Sequence, residues 1–215
     1  MWPAGTILTM QRTVAYIDGF SLYYGMKGQK WERYLWLDVD ALARLLARPA
    51  GQIVAVKYFT AMVRNPPHDL DKTGRQGRYN AAIRSKSGVH IIYGHYKPRL
   101  CECWACGSRW KTYEEKQTDV NIALEVLADA QDDKFDVLLL ITRDGDLVSV
   151  LRTIKQRFSY KRVIVAAPPG QASPDLSRFA DAYIHITDAH LKACQFPDEV
   201  RTAKGVAVYR PDTWR

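Results

Sequence analysis

The strongest limit on the fold is the run Phe135–Thr142, in which Val137-Leu138-Leu139-Leu140-Ile141 has no polar position on either face. A strand that is apolar on both sides is buried on both sides, as an interior strand of a parallel α/β sheet is. It leads into Thr142-Arg143-Asp144-Gly145-Asp146. A second strand-like run, Thr13–Ile17, also ends on an aspartate, Asp18. Carboxyl ends of strands in an open α/β sheet converge on one crevice. Asp119 stands just ahead of a helical pattern in which Val120, Ala123, Leu124 and Leu127 recur at helical spacing. A single aspartate in a turn or at a helix start is ordinary. Four at equivalent places are not, because gathered carboxylates repel one another unless a hard cation such as Mg²⁺ or Mn²⁺ lies between them. The pattern predicts a metal-assisted phosphodiester-cleaving site at Asp18, Asp119, Asp144 and Asp146.

The remaining chain alternates in the same way. Strands are expected at Ile53–Thr60, Val89–Tyr96, Val163–Ala167 and Tyr183–Ile186. Helices are expected at Leu37–Ala47, Asp69–Ser85 (opened by Pro66-Pro67), Lys116–Gln131, Leu147–Arg157, Pro174–Ala180 and Ala189–Ala193. Strands alternating with helices imply βαβ units, right-handed crossovers and a parallel sheet flanked by helices. The expected organisation is an N-terminal extension over 1–12, one domain over 13–194 and a basic tail over 195–215 with a short hairpin or extended segment at Val206–Tyr209. Residues 97–113 read as an irregular cysteine-containing insert.

Lysine and arginine outnumber aspartate and glutamate by 31 to 23. A basic exterior around an acidic pocket suits a polyanion. Arg64, Lys72, Arg75, Arg78, Arg84 and Lys86 cluster between the second and third strands. Arg75 and Arg78 are spaced to share a helix face that tracks phosphates, with Tyr79 either stacking a base or packed inward. No run approaches the ~20 apolar residues of a membrane span, and no secretory signal pattern stands at the start, so cytoplasm is the expected compartment. No glycine-rich dinucleotide fingerprint or phosphate loop occurs, and His68, His90, His95, His185 and His190 form no Ser-His-Asp or metalloprotease spacing.

Cys101-Glu102-Cys103-Trp104-Ala105-Cys106-Gly107 contains half of a zinc knuckle. Structural zinc takes four Cys or His ligands. Cys101, Cys103 and Cys106 supply up to three, and His95, His90, Cys194 or a second subunit is needed for the rest. Three reduced thiols on a loop are an equal reading of the same residues.

Three acidic stretches together resemble a known family. Ile17-Asp18-Gly19-Phe20-Ser21-Leu22-Tyr23, Glu115-Lys116-Gln117-Thr118-Asp119-Val120 and Thr142-Arg143-Asp144-Gly145-Asp146-Leu147 are similar to the motifs of NYN domains. The likeness is nearest to the LabA-like branch of the PIN-like nuclease superfamily, and it spans Thr13 to Ile186. It implies a Rossmann-like sheet and a Mg²⁺- or Mn²⁺-dependent endoribonuclease whose catalytic, metal-holding residues are Asp18, Asp119, Asp144 and Asp146. Cleavage of this type leaves a 3′-hydroxyl and a 5′-phosphate. Ser21 stands where the family commonly has Asn, and Thr142-Arg143 where it commonly has Ser-Gly. Ser21 and Arg143 are expected to meet phosphate, and Lys116 either orients the scissile phosphate or is solvated. Two other readings stay open. One is an RNA-binding module with weak or no catalysis; the other is a metal phosphohydrolase of small substrates, which the Asp144-x-Asp146 spacing allows. A homodimer is also compatible, since one compact domain offers a short cleft for a long polymer.

Overall fold

The computed structural model describes residues 10–48, 50–65 and 69–215. Most of the expected N-terminal extension (1–9), the Pro66-Pro67 breaker and His68 lie outside the described residues. The chain runs β1 (Arg12–Asp18), α1 (Gly19–Gly28), α2 (Val39–Ala47), β2 (Gln52–Thr60), α3 (Lys72–Arg84) and β3 (Val89–Tyr93). A hairpin follows, β4 (His95–Glu102) and β5 (Arg109–Lys116), then α4 (Thr118–Gln131), β6 (Val137–Ile141), α5 (Val148–Arg157), β7 (Arg162–Ala167), α6 (Asp175–Arg178), β8 (Ala182–His185) and α7 (Asp188–Ala193). The chain closes with a small hairpin, β9 (Glu199–Arg201) and β10 (Ala207–Tyr209).

Six strands form one parallel sheet in the order β3-β2-β1-β6-β7-β8. The chain builds outward from β1 to β3, then returns to lay β6 against the other side of β1. The order reverses between β1 and β6, and the crevice at such a reversal is where open α/β sheets bind ligands. Helices cover both faces. Val137, Leu139 and Ile141 of β6 pack with α1, α2, α3 and α7 on one side, while Leu138 and Leu140 pack with α4 and α5 on the other. Strand alternation produces this division, and it is why β6 tolerates no polar residue. Each such fully buried side chain contributes about 1.5–3 kcal/mol. Gly19 is demanded by close packing at the end of β1, since a Cβ there would stand 2.6 Å from the Phe59 carbonyl oxygen.

Three expectations are corrected. The third strand stops at Tyr93 instead of Tyr96, and the insert over 97–113 is an ordered antiparallel hairpin pairing His95 with Lys116 through Glu102 with Arg109. Gly94 makes the break: its N–H still donates to Thr60 O at 2.8 Å, but a Cβ would lie 2.6 Å from the Lys116 carbonyl oxygen. The hairpin is exposed along most of its length, so it lacks the apolar alternation that announces a half-buried strand. Lys116 ends β5 and does not begin α4.

The segment 195–215 is no free tail. Phe196, Val200 and Trp214 are buried, and the Trp214 ring lies 6.4 Å from Trp36 and 5.9 Å from Tyr79. Trp36 Nε1 donates to Pro197 O at 2.7 Å. Isolated apolar anchors among polar residues carry no periodicity, so this docking left no trace in the sequence pattern. Among the described residues, no helix is long and apolar enough to cross a membrane.

Candidate metal centre and cleft

Asp18 ends β1 and caps α1. One of its oxygens accepts from the Phe20 and Ser21 N–H groups, both at 3.0 Å, and the other accepts from Thr142 Oγ1 at 2.9 Å. Thr142, fully buried at the end of β6, also accepts from the Asp144 N–H at 3.1 Å. One hydroxyl therefore ties the ends of the two switch-point strands together. Asp144 then accepts from the Asp146 N–H at 2.9 Å, which sets the tight turn between them.

Asp119 reaches the same place from the first turn of α4. Gln117 adopts a left-handed conformation, φ +78°, at the join between β5 and α4. A non-glycine residue there costs roughly 1 kcal/mol. The turn sends α4 across the end of the sheet, with Asp119 over the crevice. One carboxylate oxygen from each of Asp119, Asp144 and Asp146 lies within 4.8 Å of the others. Asp18, Glu115, Asp119 and Asp144 line one cleft of about 450 Å³ with Ser21, Arg143 and Phe20. Burial, then the charges of Asp18, Asp144, Glu115 and Asp146, push the Asp119 carboxyl up to about 7. All-oxygen donors that repel one another fit a hard divalent cation, which would be held by Asp119, Asp144 and Asp146.

Glu115 was not singled out in the sequence, although it lies inside the middle motif. Its carboxylate accepts from the Thr118 N–H at 3.0 Å and from the Thr118 hydroxyl. Lys116, its neighbour, does not line the cleft and pairs with Glu114 at 2.8 Å. Consecutive strand residues point to opposite faces, so a strand that sends Glu115 into the cleft sends Lys116 away. Ser21 is buried, 3.3 Å from Thr142 Oγ1, with its hydroxyl also accepting from the Arg143 N–H at 3.4 Å. Phe20 and Tyr24 stack at 6.3 Å between ring centres, and Tyr96 meets Phe20 edge-on at 5.9 Å, forming an aromatic wall beside the acids.

Other expected contacts are not assembled. Arg75 pairs with Asp69 and Arg78 with Asp71 at 2.8 Å, so the helix neutralises its own basic face. Neither arginine lines the acidic cleft. Tyr79 packs inward, its hydroxyl donating to Leu37 O at 3.0 Å. His95 cannot join the cysteines. It sits at the base of the β4–β5 hairpin with Nδ1 2.8 Å from Gln117 Oε1, and six residues of strand put Cys101 about 20 Å away. Cys103 and Cys106 lie in the hairpin turn, where hydrogen bonds from Ser108 and Cys103 hold the Cys106 thiol below the usual thiol range.

The NYN domain model matches residues 12–187. The chain belongs to the NYN domain family. NYN domains are generally nucleases, and the acidic cleft of this one lies within the matched span. A curated relative from Pseudomonas putida, 6-hydroxy-3-succinoylpyridine 3-monooxygenase HspA, is 31% identical to this NYN chain over an alignment covering 94% of the chain and 75% of the relative. The crystal structure of a Vibrio parahaemolyticus protein of unknown function shares the fold. Its TM-score is 0.55 at 22% identity, covering 86% of this chain and 98% of that one.

Proposed function

We propose that this NYN domain is a cytoplasmic, Mg²⁺- or Mn²⁺-dependent endoribonuclease of the LabA-like branch in the PIN-like superfamily. The observation that carries the reading is the meeting of Asp119, Asp144 and Asp146 oxygens within 4.8 Å at the switch point of the sheet. When bound, a divalent cation supplies Lewis-acid stabilisation of the charge that develops on the phosphoryl group. The chain's own residues do the rest. Asp18, locked by two N–H groups and the Thr142 hydroxyl, stands beside Asp119 and fixes the α1 end of the cleft. Arg143 offers a guanidinium to a phosphate at the cleft edge, and Ser21 offers a hydroxyl. A cleft carboxylate that does not touch the cation takes the proton from attacking water. The Phe20–Tyr24 wall gives a base a surface to stack on. Hydrolysis leaves a 3′-hydroxyl and a 5′-phosphate.

The test is incubation of labelled single-stranded and structured RNA with and without Mn²⁺, beside Asp144→Asn. Metal-dependent fragments with wild type and none with the variant are expected. Cleavage unchanged in the variant removes the catalytic assignment. RNA binding without turnover selects the regulatory-module reading, and hydrolysis of small phosphate esters without RNA affinity selects the phosphohydrolase reading.

A second reading follows from the name of the Pseudomonas relative. The apolar space of about 60 Å³ lined by Phe20, Tyr23, Tyr24 and Tyr58 is too small to enclose a succinoylpyridine, and Arg75 beside it already pairs with Asp69, so this cavity does not support it. The acidic cluster itself contains no histidine, whereas non-haem iron oxygenases use two histidines and one carboxylate. Oxygen uptake on adding 6-hydroxy-3-succinoylpyridine and a nicotinamide reductant, with no RNA cleavage, would favour this reading over the nuclease.

A further inference from the structure

The β4–β5 hairpin ends in a turn built as one half of a metal site. The Cys103 N–H donates to Ser108 O and the Gly107 N–H donates to Cys103 O, both at 2.8 Å. Gly107 takes φ +69°, a left-handed conformation that glycine adopts without strain. This compact turn carries Cys103 and Cys106 on one short loop, with Cys106 Sγ 3.2 Å from Ser108 Oγ. Two sulfurs three residues apart on a glycine-ended turn form a bidentate claw for a thiophilic metal.

Structural zinc needs four ligands, and this chain supplies only the claw. Among the described residues, Cys103 and Cys106 belong to no group of three or more ligand atoms that lie within 4.8 Å of one another. His95 sits at the far end of the hairpin, and Cys194 is buried in the core. The turn itself is accessible: Cys106 is exposed and Trp104, between the two cysteines, is 98% exposed. An indole held fully in water beside a half-complete metal site is an apolar surface lacking a partner. The smallest completion is a second copy of the same turn related by a two-fold axis, which doubles two thiolates to four.

We propose that Cys103 and Cys106 from two copies of this chain share one structural Zn²⁺, joining the domains hairpin tip to hairpin tip with the two Trp104 rings packed beside the metal. Binding converts the four thiols to thiolates and releases their protons to solvent, with no change in oxidation state. The acidic clefts stay outside this contact, so the dimer is independent of the nuclease reading and survives its failure.

The experiment uses the full chain, reduced, stripped of metal by chelator and titrated with Zn²⁺. Bound metal is counted by mass spectrometry and molecular mass measured by sedimentation. The expected result is one zinc per two chains, a monomer-to-dimer shift in step with zinc, and reversal by chelator. Cys103→Ser and Cys106→Ser should each lose both zinc and dimer while keeping the wild-type circular dichroism, whereas Cys101→Ser keeps both. Trp104→Ala should weaken the dimer about tenfold. With Co²⁺ in place of zinc, the visible bands of a tetrahedral thiolate site should appear in the dimer. One zinc per monomer, a dimer indifferent to zinc, or no zinc bound by reduced protein each overturns the proposal.

Discussion

Helix α4 carries a carboxylate near each end, and the fold treats the two oppositely. Asp129, in the last turn, is almost fully buried, with Lys57 Nζ at 2.5 Å, Lys134 Nζ at 3.1 Å and the Tyr16 hydroxyl at 2.6 Å. Burial alone would raise its pKa, but these three partners more than offset that and hold it below the usual carboxylate range. Asp119, in the first turn, has burial and four other carboxylates as its leading influences, and it is raised to about 7. The same side chain on one helix is thus internally neutralised at one end and left uncompensated at the other. Where a carboxylate is structural, the chain supplies the cation; in the cleft, the leading influences on Asp119 are burial and other carboxylates, an arrangement that suits a cation from solution.

The comparison breaks most sharply on activity. Asp119→Asn and Asp144→Asn should each reduce Mn²⁺-dependent RNA cleavage about a hundredfold or more, near 3 kcal/mol in the barrier. Asp129→Asn should leave the rate of the folded fraction close to wild type. Equal losses from both ends of α4, measured as single-turnover rates, would erase the distinction.

Stability is the next test. Lys57→Met strips Asp129 of its nearest cation and should cost about 3 kcal/mol by urea denaturation. Asp119→Asn should do the reverse, raising the midpoint of the metal-free protein near neutral pH, because it removes a repelled charge.

The pH dependence sharpens the picture further. The folded Asp119 carboxyl is pushed up to about 7, above its ordinary value of 3.8. Between those values the native state holds a proton that the unfolded chain has lost. Its contribution to stability is therefore full below about pH 4 and is lost as pH rises through about 7. Saturating Mn²⁺ should flatten that decline, and apparent Mn²⁺ affinity should climb with pH until about 7 and then level off. Thermal melts across pH, with and without metal, read both effects. A metal-free decline that persists in Asp119→Asn would assign it elsewhere.

The smallest effect belongs to the hydroxyl bridge. Thr142→Val should cost about 1–2 kcal/mol of stability and lower the cleavage rate by loosening Asp18, while Thr142→Ser should restore both. Restoration by serine separates the hydroxyl's role from simple packing.

Much of this was legible in the chain. Val137–Ile141 announced a doubly buried strand, and strand-terminal Asp18 and Asp144 implied a shared crevice, because apolar runs and their abrupt polar ends are local signals. Glu115 was hidden beside Lys116, since only strand register says which of two neighbours enters the cleft. Arg75 and Arg78 looked like a free basic face although Asp71 stands four residues before Arg75; that Asp69 and Asp71 both turn onto these arginines is visible only in the structure. The docking of Trp214 on Trp36 is a contact across most of the chain and has no local signature.

The sequence by itself determined the α/β alternation, the six strands of the main sheet and the aspartates that follow β1 and β6, because burial and periodicity act between near neighbours. Only the tertiary structure decided that β6 lies against β1, that a left-handed Gln117 swings Asp119 over their ends, and which charges keep company. Strand order joins β1 to β6 across more than a hundred positions and Lys57 meets Asp129 across 72, and the free energy of such contacts depends on distances that no stretch of sequence contains.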